Sequence, residues 1–493
     1  MLRAGLTVAV LVLLGRVAGF GREWLLAFQS GASGVTDVAI VLLTFPDLMV
    51  NLLLGGGLAV ALIPAFKRLA PGEASALYLQ TSGVIAAIFI MLALLITLTA
   101  PSVLQIMAPG MGSGQAHFYA NEMRLVTWAI PLAALSGVIG AYLNAHERFA
   151  YAAAGTLVFN ICIMGALLWG GASALVKSIA MGVMAGAMLR LILQATDMRS
   201  IWSKPQLSNC LLNSELIRQY LASFSFVTIL VLLPPIARAI ASYGETGALA
   251  LFNFAYKLVE LPLGVALSSI AIVLLPRLAA GFSGLDRSTA EVNLSAGIRT
   301  TLLISLGIAI PAIFFPELLV RLAFFNADFT PEQVTQLARL TAIGFLSLPF
   351  QGLLVIYGSA FAADRHATSL FLAGAFMPVI LLTVALPAES HFGVEGVMAA
   401  YTFSYFVGAI LMTWLAARHF GGGMIRDALR GARGGLLLPA LSAALVAWFG
   451  REETTSLGGQ LAWACLAFAT YVVVASVMDN NLRRLLRIPV RNG

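Results

Sequence analysis

Long apolar runs, interrupted only by glycine, proline and isolated charges, occupy most of this chain of 493 residues. A helix needs about 20 apolar residues to cross the roughly 30 Å hydrocarbon core of a bilayer, and several runs meet that length. The composition agrees, since 60% of the residues are hydrophobic, 10% are charged and the mean hydropathy is +0.93. Soluble domains carry about 25% charged residues. The sequence therefore predicts an all-α polytopic membrane protein.

The apolar runs predict about fourteen transmembrane helices. They are placed at 5–28, 36–66, 76–107, 118–145, 151–170, 173–198, 215–241, 246–278, 292–315, 332–362, 367–387, 393–418, 434–450 and 459–478. An even number of spans returns the chain to the side on which it started.

Basic residues in the connections predict the orientation. Lys67, Arg148 and Arg483 belong to one set of alternate connections and ends, in which most basic residues accumulate, whereas the opposite set has little beyond Arg321 and Arg451. Basic residues are enriched on the cytoplasmic side of membrane proteins, so both termini are predicted to be cytoplasmic. An anionic leaflet accounts for the basic C-terminal tail, and no nucleic-acid partner is predicted.

Two stretches of the chain resemble each other and predict an internal repeat. The segment "APSVLQIMAPGM" matches "FPELLVRLAFFN", and the segments that follow share an Arg-Leu pair and the prolines Pro131 and Pro349. Six helices per repeat make the two repeats parallel, related by an axis along the membrane normal. We predict an N-terminal lobe at 1–204, a C-terminal lobe at 205–425, and helices 13 and 14 with the basic tail at 426–493.

Charged residues inside apolar helices are the candidate functional groups, because an arginine at the centre of a membrane helix costs about 2.5 to 3.5 kcal/mol on insertion scales and usually faces protein or water. The candidates are Arg16, Arg22, Glu23, Asp37, Arg124, Arg238, Lys257, Glu260 and Arg339. Lys257 and Glu260 are three residues apart, a spacing at which a helical pair neutralises itself.

The first helix carries two arginines among glycines. Arg16 and Arg22 are six residues apart, so on a straight helix they point about 120° away from each other. Gly15, Gly19 and Gly21 are candidate hinge or packing positions, since glycine permits bending and close approach of a neighbouring helix. The alternative for Arg16 is that its side chain reaches back to the cytoplasmic interface.

Two features of the second helix bear on charge and flexibility. Asp37 follows a Gly/Ser turn, where a carboxylate either satisfies free backbone donors at a helix start or balances Arg22. Farther along, Gly55, Gly56 and Gly57 predict a flexible or bent helix.

No catalytic or metal-binding pattern is present in the sequence. The five histidines lack metal-ligand spacing, the three cysteines show no paired spacing, and no phosphate-binding G-x-x-x-x-G-K-[ST] loop occurs. We therefore predict no cofactor and no metal site. Transport or lipid translocation is favoured over an enzyme.

The stretch "GRVAGFGREWLLAFQSGASGVTDVAIVLLTFPDLM" resembles the opening of the MviN/MurJ proteins, and "LIPAFKRL", "NAHERF" and "YKLVELPLGVALSSIAIVLLPRLA" extend the resemblance along the chain. That family belongs to the multidrug/oligosaccharidyl-lipid/polysaccharide exporter superfamily. The resemblance implies a flippase of the bacterial inner membrane that moves undecaprenyl-linked sugars, typically lipid II, to the outer leaflet.

The resemblance also implies roles for particular residues. Arg16, Arg22 and Asp37 match charged positions that line a cationic cavity for the pyrophosphate and sugar head group. Lys257 stands where the family usually has arginine, and Glu260 where it has glutamate. Further candidates for the cavity are Glu23, Arg124, Arg238 and Arg339.

The chain departs from the family pattern after Pro46. The family commonly continues with a pair of arginines, whereas this chain has Val50 and Asn51, and a family acidic residue is replaced at about Gly55. A flippase for another polyprenyl-linked unit, such as an exopolysaccharide repeat, is therefore a rival prediction.

The function predicted is alternating-access translocation of an undecaprenyl-diphosphate-linked glycan. Three functions of a different kind compete with it. A multidrug or cation antiporter calls for an acidic cavity, a membrane glycan ligase calls for a large outer loop, and a non-transporting cell-wall scaffold calls for neither. The expected partners are the polyprenyl-diphosphate glycan, membrane lipid and cell-wall synthesis proteins. The coupling ion is left open between the membrane potential, Na⁺, H⁺ and Cl⁻.

Overall fold

The described part of the chain is helical. A computed structural model describes residues 2–52, 58–206, 230–267, 270, 274, 278, 287–364, 367–421, 433–454 and 456–478, and none of them lies in a strand. The helices are α1 (Leu2–Ser30), α2 (Gly34–Leu52), α3 (Leu58–Arg68), α4 (Pro71–Leu98), α5 (Ala100–Met107), α6 (Ser113–Phe118), α7 (Ala120–Thr127), α8 (Ala129–Ala145), α9 (Phe149–Gly170), α10 (Leu175–Met198), α11 (Leu230–Ala241), α12 (Ala248–Pro262), α13 (Arg287–Phe314), α14 (Pro316–Ala323), α15 (Pro331–Phe345), α16 (Leu348–Ala363), α17 (Ala367–Phe420), α18 (Leu438–Glu453) and α19 (Leu457–Met478).

Within these ranges, 9 helical segments are long and apolar enough to cross a membrane. The predicted all-α polytopic fold is therefore confirmed, while the number of fourteen spans stays a prediction.

Two of the predicted helices are divided at points where a proline occupies the first turn of the following helix. The prediction of one helix at 76–107 is wrong, because α4 ends and α5 begins around Thr99, whose φ and ψ are −109° and 21°. A second break separates α15 from α16, which carries Pro349 in its first turn. Proline lacks an N–H and fits the first turn of a helix, where that donor has no partner within the helix.

Corresponding glycines turn the chain in the two predicted repeats. Gly171, between α9 and α10, has a φ of 62°. Gly393 has a φ of 59° and interrupts α17, which otherwise runs through both of the predicted helices at 367–387 and 393–418. Side chains with a Cβ rarely adopt such a φ, so glycine permits the sharp change of direction.

The described chain divides into two compact units. Unit 1 comprises Met1–Asn253, Asn326–Phe329 and Glu389–Val394, and unit 2 comprises Phe254–Phe325, Thr330–Ala388 and Glu395–Gly493. The predicted division at residues 204 and 425 stays a prediction.

The centre of unit 1 is a layer of closely packed helices. α9 packs against both α1 and α10, and α10 also contacts α8. A separate cluster surrounds Tyr142 of α8, which is fully buried against Phe66 and Leu77 and shares a hydrogen bond of 3.0 Å with Ser75. Burial of such side chains contributes about 1.5 to 3 kcal/mol each, so unit 1 has an apolar core of its own.

In unit 2, the last two helices pack against α13. α13 contacts α16, α18 and α19, and Tyr471 of α19 donates a hydrogen bond of 2.7 Å to the carbonyl oxygen of Leu303. Gly307 lies under the same tyrosine ring, where a Cβ would come within 2.9 Å of it. α19 is thus held to α13 by a buried hydrogen bond and by close packing.

Candidate functional site

Two neighbouring charged side chains of α1, Arg22 and Glu23, form a buried ion pair in unit 1. Nη2 of Arg22 donates to Oε1 of Glu23 over 2.8 Å, and the side chains are 4% and 2% exposed. Leaving either ion buried without a partner would cost several kcal/mol. Glu23 therefore neutralises Arg22 from within the same helix.

Two asparagines from other helices form hydrogen bonds to this pair. Asn160 of α9 accepts a hydrogen bond of 3.2 Å from Nη1 of Arg22, and its Nδ2 donates to the carbonyl oxygen of Gly15 over 3.2 Å. Asn253 of α12 donates to Oε2 of Glu23 over 2.8 Å. The pair is thus connected to both α9 and α12.

Sequence reasoning missed both asparagines. Asn160 and Asn253 lie in predicted membrane helices, and a polar side chain in such a helix commonly forms a hydrogen bond to a neighbouring helix. The position of these asparagines therefore indicates a hydrogen bond between helices, but it does not identify the residue that each one contacts.

The glycines of α1 lie against α9. A Cβ at Gly15 would come within 3.5 Å of the backbone of α9, one at Gly19 within 3.4 Å of Nδ2 of Asn160, and one at Gly21 within 3.3 Å of Met164. α1 itself is one unbroken helix. All three glycines therefore face α9, where a Cβ at Gly15 or Gly19 would make ordinary van der Waals contact. The predicted flexible positions Gly55, Gly56 and Gly57 lie outside the described residues.

Arg16 does not join the buried cluster. Its side chain is exposed, whereas Arg22 is buried. The six-residue spacing accounts for the difference, since it directs the two side chains about 120° apart around α1. The structure therefore does not bring the two arginines of α1 to one point within unit 1.

Asp37 joins the start of α2 to the start of α12. Its Oδ2 accepts a hydrogen bond from the backbone N–H of Gly247, and its Oδ1 accepts one from Ala250, both over 2.8 Å. A carboxylate is favourable at a helix N-terminus, where backbone donors are free and the helix dipole is positive. Asp37 thus satisfies donors at a helix start, as one of its two predicted roles states, but the helix is α12 and not its own.

Lys257 and Glu260 form an ion pair on α12 in unit 2. Nζ of Lys257 donates to Oε2 of Glu260 over 2.7 Å, at the spacing of three residues that places both on one helix face. Lys257 also lies 5.5 Å from the centroid of the Tyr256 ring. Both charged groups are partly exposed, whereas Arg22 and Glu23 are buried.

The three remaining arginine candidates have different surroundings. Arg124 is exposed and donates to the carbonyl oxygen of Thr97 over 3.3 Å. Arg238 is buried and donates to Oγ1 of Thr44 over 3.1 Å. Arg339 is exposed and lies 3.4 Å from a carboxylate oxygen of Glu395. Of these three, only Arg238 is buried.

Metal-ligating residues do not cluster in the part of the chain that the structure describes. No three His, Cys, Asp or Glu side chains there lie close enough to hold a metal ion. The cluster around Arg22 consists of one cation, one anion and two amides, which are joined by hydrogen bonds.

Comparison with solved structures identifies the fold. The fold matches "Lipid II flippase MurJ, inward closed conformation" with a TM-score of 0.83 at 16% identity, covering 97% of this chain and 99% of that one. It also matches an inward-facing multidrug resistance MATE family transporter of the MOP superfamily, with a TM-score of 0.71 at 13% identity over 85% of this chain and 99% of that one. The chain therefore has the all-helical fold of these polytopic membrane proteins.

The family follows from the sequence. The family model described as "Lipid II flippase MurJ" matches residues 27–467, and the chain belongs to this family. A probable lipid II flippase MurJ of Rhizobium meliloti is 24% identical over 424 residues, 82% of this chain and 78% of the relative. The lipid II flippase MurJ of Burkholderia cenocepacia is 29% identical over 360 residues, 69% of each. These relatives are named as transporters and not as enzymes, and the predicted family is confirmed.

Proposed function

We propose that this chain moves an undecaprenyl-diphosphate-linked glycan, lipid II or a close relative of it, from the inner to the outer leaflet of the bacterial cytoplasmic membrane. The observation that carries the proposal is the buried Arg22 of α1, held by Asn160 and Glu23 inside an apolar bundle. Relatives named as lipid II flippases support it.

The chemistry of the head group explains why a buried arginine is useful. A diphosphate is multiply charged, so its transfer into bare hydrocarbon carries a prohibitive desolvation cost. A guanidinium offers it several N–H donors, and hydrogen bonds between charged partners are about twice as strong as neutral ones. In this proposal Arg22 binds the diphosphate, while Arg16 contributes further positive charge.

The carboxylates have supporting roles in the proposal. Glu260 keeps Lys257 paired when no ligand is present, and Asp37 ties α2 to the start of α12. A carboxylate that caps a neighbouring helix can break and remake two hydrogen bonds when helices move. Such a contact suits alternating access, in which the binding site opens first to one leaflet and then to the other.

The proposal includes an orientation and a direction of transport. The basic connections support cytoplasmic termini, and we propose that the head group enters from the cytoplasmic leaflet. An inside-negative membrane potential favours outward movement of a net negative charge by about 2.3 kcal/mol per charge per 100 mV. The potential is therefore one candidate for coupling, beside the ions Na⁺, H⁺ and Cl⁻.

The test of the proposal is complementation in cells depleted of their own flippase. Arg22→Ala is expected to lower the amount of precursor on the outer leaflet at least about tenfold at equal membrane abundance, because about 1.5 to 3 kcal/mol per hydrogen bond to a charged group is lost. Arg321→Ala is the matched control, since Arg321 is exposed and pairs with Glu317. Normal transport by the Arg22→Ala variant would refute the proposal.

The substrate is identified by the lipid intermediate that accumulates when this chain is depleted. Lipid II is the expected intermediate. Accumulation of an exopolysaccharide unit would instead identify that unit as the substrate. This is the rival prediction, which rests on Val50 and Asn51 in place of the arginine pair of the family. Accumulation of no undecaprenyl-linked intermediate would contradict a flippase function and favour a scaffold.

A further inference from the structure

The cation of the α1 cluster is already occupied by an anion of the same chain. Nη2 of Arg22 is 2.8 Å from Oε1 of Glu23, and both side chains are almost completely buried. A buried guanidinium without an anion is strongly unfavourable. In the empty protein Glu23 therefore neutralises the charge of Arg22, as a bound phosphate would in the loaded protein.

Residues that are adjacent along a helix do not normally pair in this way. Successive side chains point about 100° apart, and neighbours at i and i+1 do not face each other. In this cluster each partner has an external anchor, because Asn160 accepts from Arg22 and Asn253 donates to Glu23. Both anchors are neutral amides, so they orient the two charges without neutralising either.

We propose that Glu23 is an internal anion that occupies Arg22 while no substrate is bound, and that Asn253 holds Glu23 in that position. The arrangement makes the site selective for anions that carry more than one negative charge. This inference rests on the proposed function, in which Arg22 binds the diphosphate of a lipid-linked glycan.

The selectivity follows from competition. Glu23 is attached next to Arg22, so its effective concentration at the guanidinium far exceeds that of a free ion. Chloride carries the same single charge and must also leave water, so it does not displace the carboxylate. A diphosphate carries several charges and acceptor oxygens, and it gains more from Arg22 than Glu23 loses. The displaced carboxylate keeps the hydrogen bond that Asn253 donates to its second oxygen.

The test uses the purified full-length protein, with inorganic pyrophosphate and sodium chloride as probes and binding measured by calorimetry at constant ionic strength. Wild type is expected to bind pyrophosphate without competition from chloride. Glu23→Gln is expected to bind pyrophosphate about tenfold more tightly, because the competing charge is gone, and to bind chloride as well. Glu317→Gln, which changes an exposed carboxylate paired with Arg321, is the matched control and is expected to behave as wild type.

A second variant keeps the test informative if Glu23→Gln does not fold. Asn253→Leu leaves both charges in place and removes only the anchor of Glu23, so pyrophosphate affinity is expected to rise about threefold, less than for Glu23→Gln because the competing anion remains. Thermal melting of each variant reports whether it is folded.

Unchanged or weaker pyrophosphate binding in folded Glu23→Gln would overturn the inference, since it would mean that Glu23 positions Arg22 rather than competes for it. The same result in folded Asn253→Leu would overturn the role of Asn253. The two proposals fail separately: normal transport by Arg22→Ala refutes the proposed function. Loss of transport in that variant, with no change of affinity in Glu23→Gln, refutes only the internal anion.

Discussion

The contact of Asp37 with the start of α12 gives a prediction whose size follows from the structure. The carboxylate accepts two backbone hydrogen bonds of 2.8 Å, one from Gly247 and one from Ala250. Asp37→Asn keeps one acceptor oxygen and turns an NH₂ group toward the other N–H. One hydrogen bond to a charged group is thereby lost, a change of about 1.5 to 3 kcal/mol, with a smaller loss of interaction with the helix dipole.

We expect the free energy of local opening at the start of α12 to fall by about 2 kcal/mol, which corresponds to roughly 30-fold faster amide exchange. Hydrogen–deuterium exchange of the peptide that contains Gly247 and Ala250 measures this directly, since these two amides are the donors. Glu245→Gln is the matched control, because it removes an exposed carboxylate from the same turn. Equal exchange in the Asp37 and Glu245 variants would show that the two hydrogen bonds do not hold the start of α12.

Two further substitutions, one in each unit, test a close contact in unit 1 and a buried hydrogen bond in unit 2. Gly31→Ala is expected to lower the melting temperature, because Gly31 has a φ of 53° and a Cβ would overlap the carbonyl oxygen of Asp328. Overpacking of this kind lowers the free energy of unfolding by about 1 to 3 kcal/mol. Gly112→Ala, at a position with no neighbouring atom within 4 Å, should melt as wild type, and equal melting of the two variants would contradict the contact. Tyr471→Phe removes the hydrogen bond to Leu303 and is expected to destabilise unit 2 by about 1 to 3 kcal/mol, since it leaves a buried carbonyl without that partner. An unchanged melting temperature would show that packing alone holds α19 to α13.

Helix positions were largely predictable because they depend on local properties. The limits of α9 and α10 differ from prediction by two residues at their starts and agree at their ends. The prediction placed no break between α4 and α5 although Pro101 marks one, because the residues on both sides of this proline are apolar and the run continues across it. The kink in α17 at Gly393 coincides with the predicted start of a new helix.

The sequence by itself determined that the chain is a bundle of membrane helices and that Arg22, Glu23 and Asp37 are unusual within it, since apolar length and misplaced charge are properties of single segments. Only the tertiary structure decided the partners. Asn160 comes from α9, Asn253 from α12, and Asp37 caps a helix more than 200 positions away, as its partner Gly247 shows. Hydrogen bonds between helices depend on which helix faces meet and on the distance between them, and the sequence of a single segment determines neither.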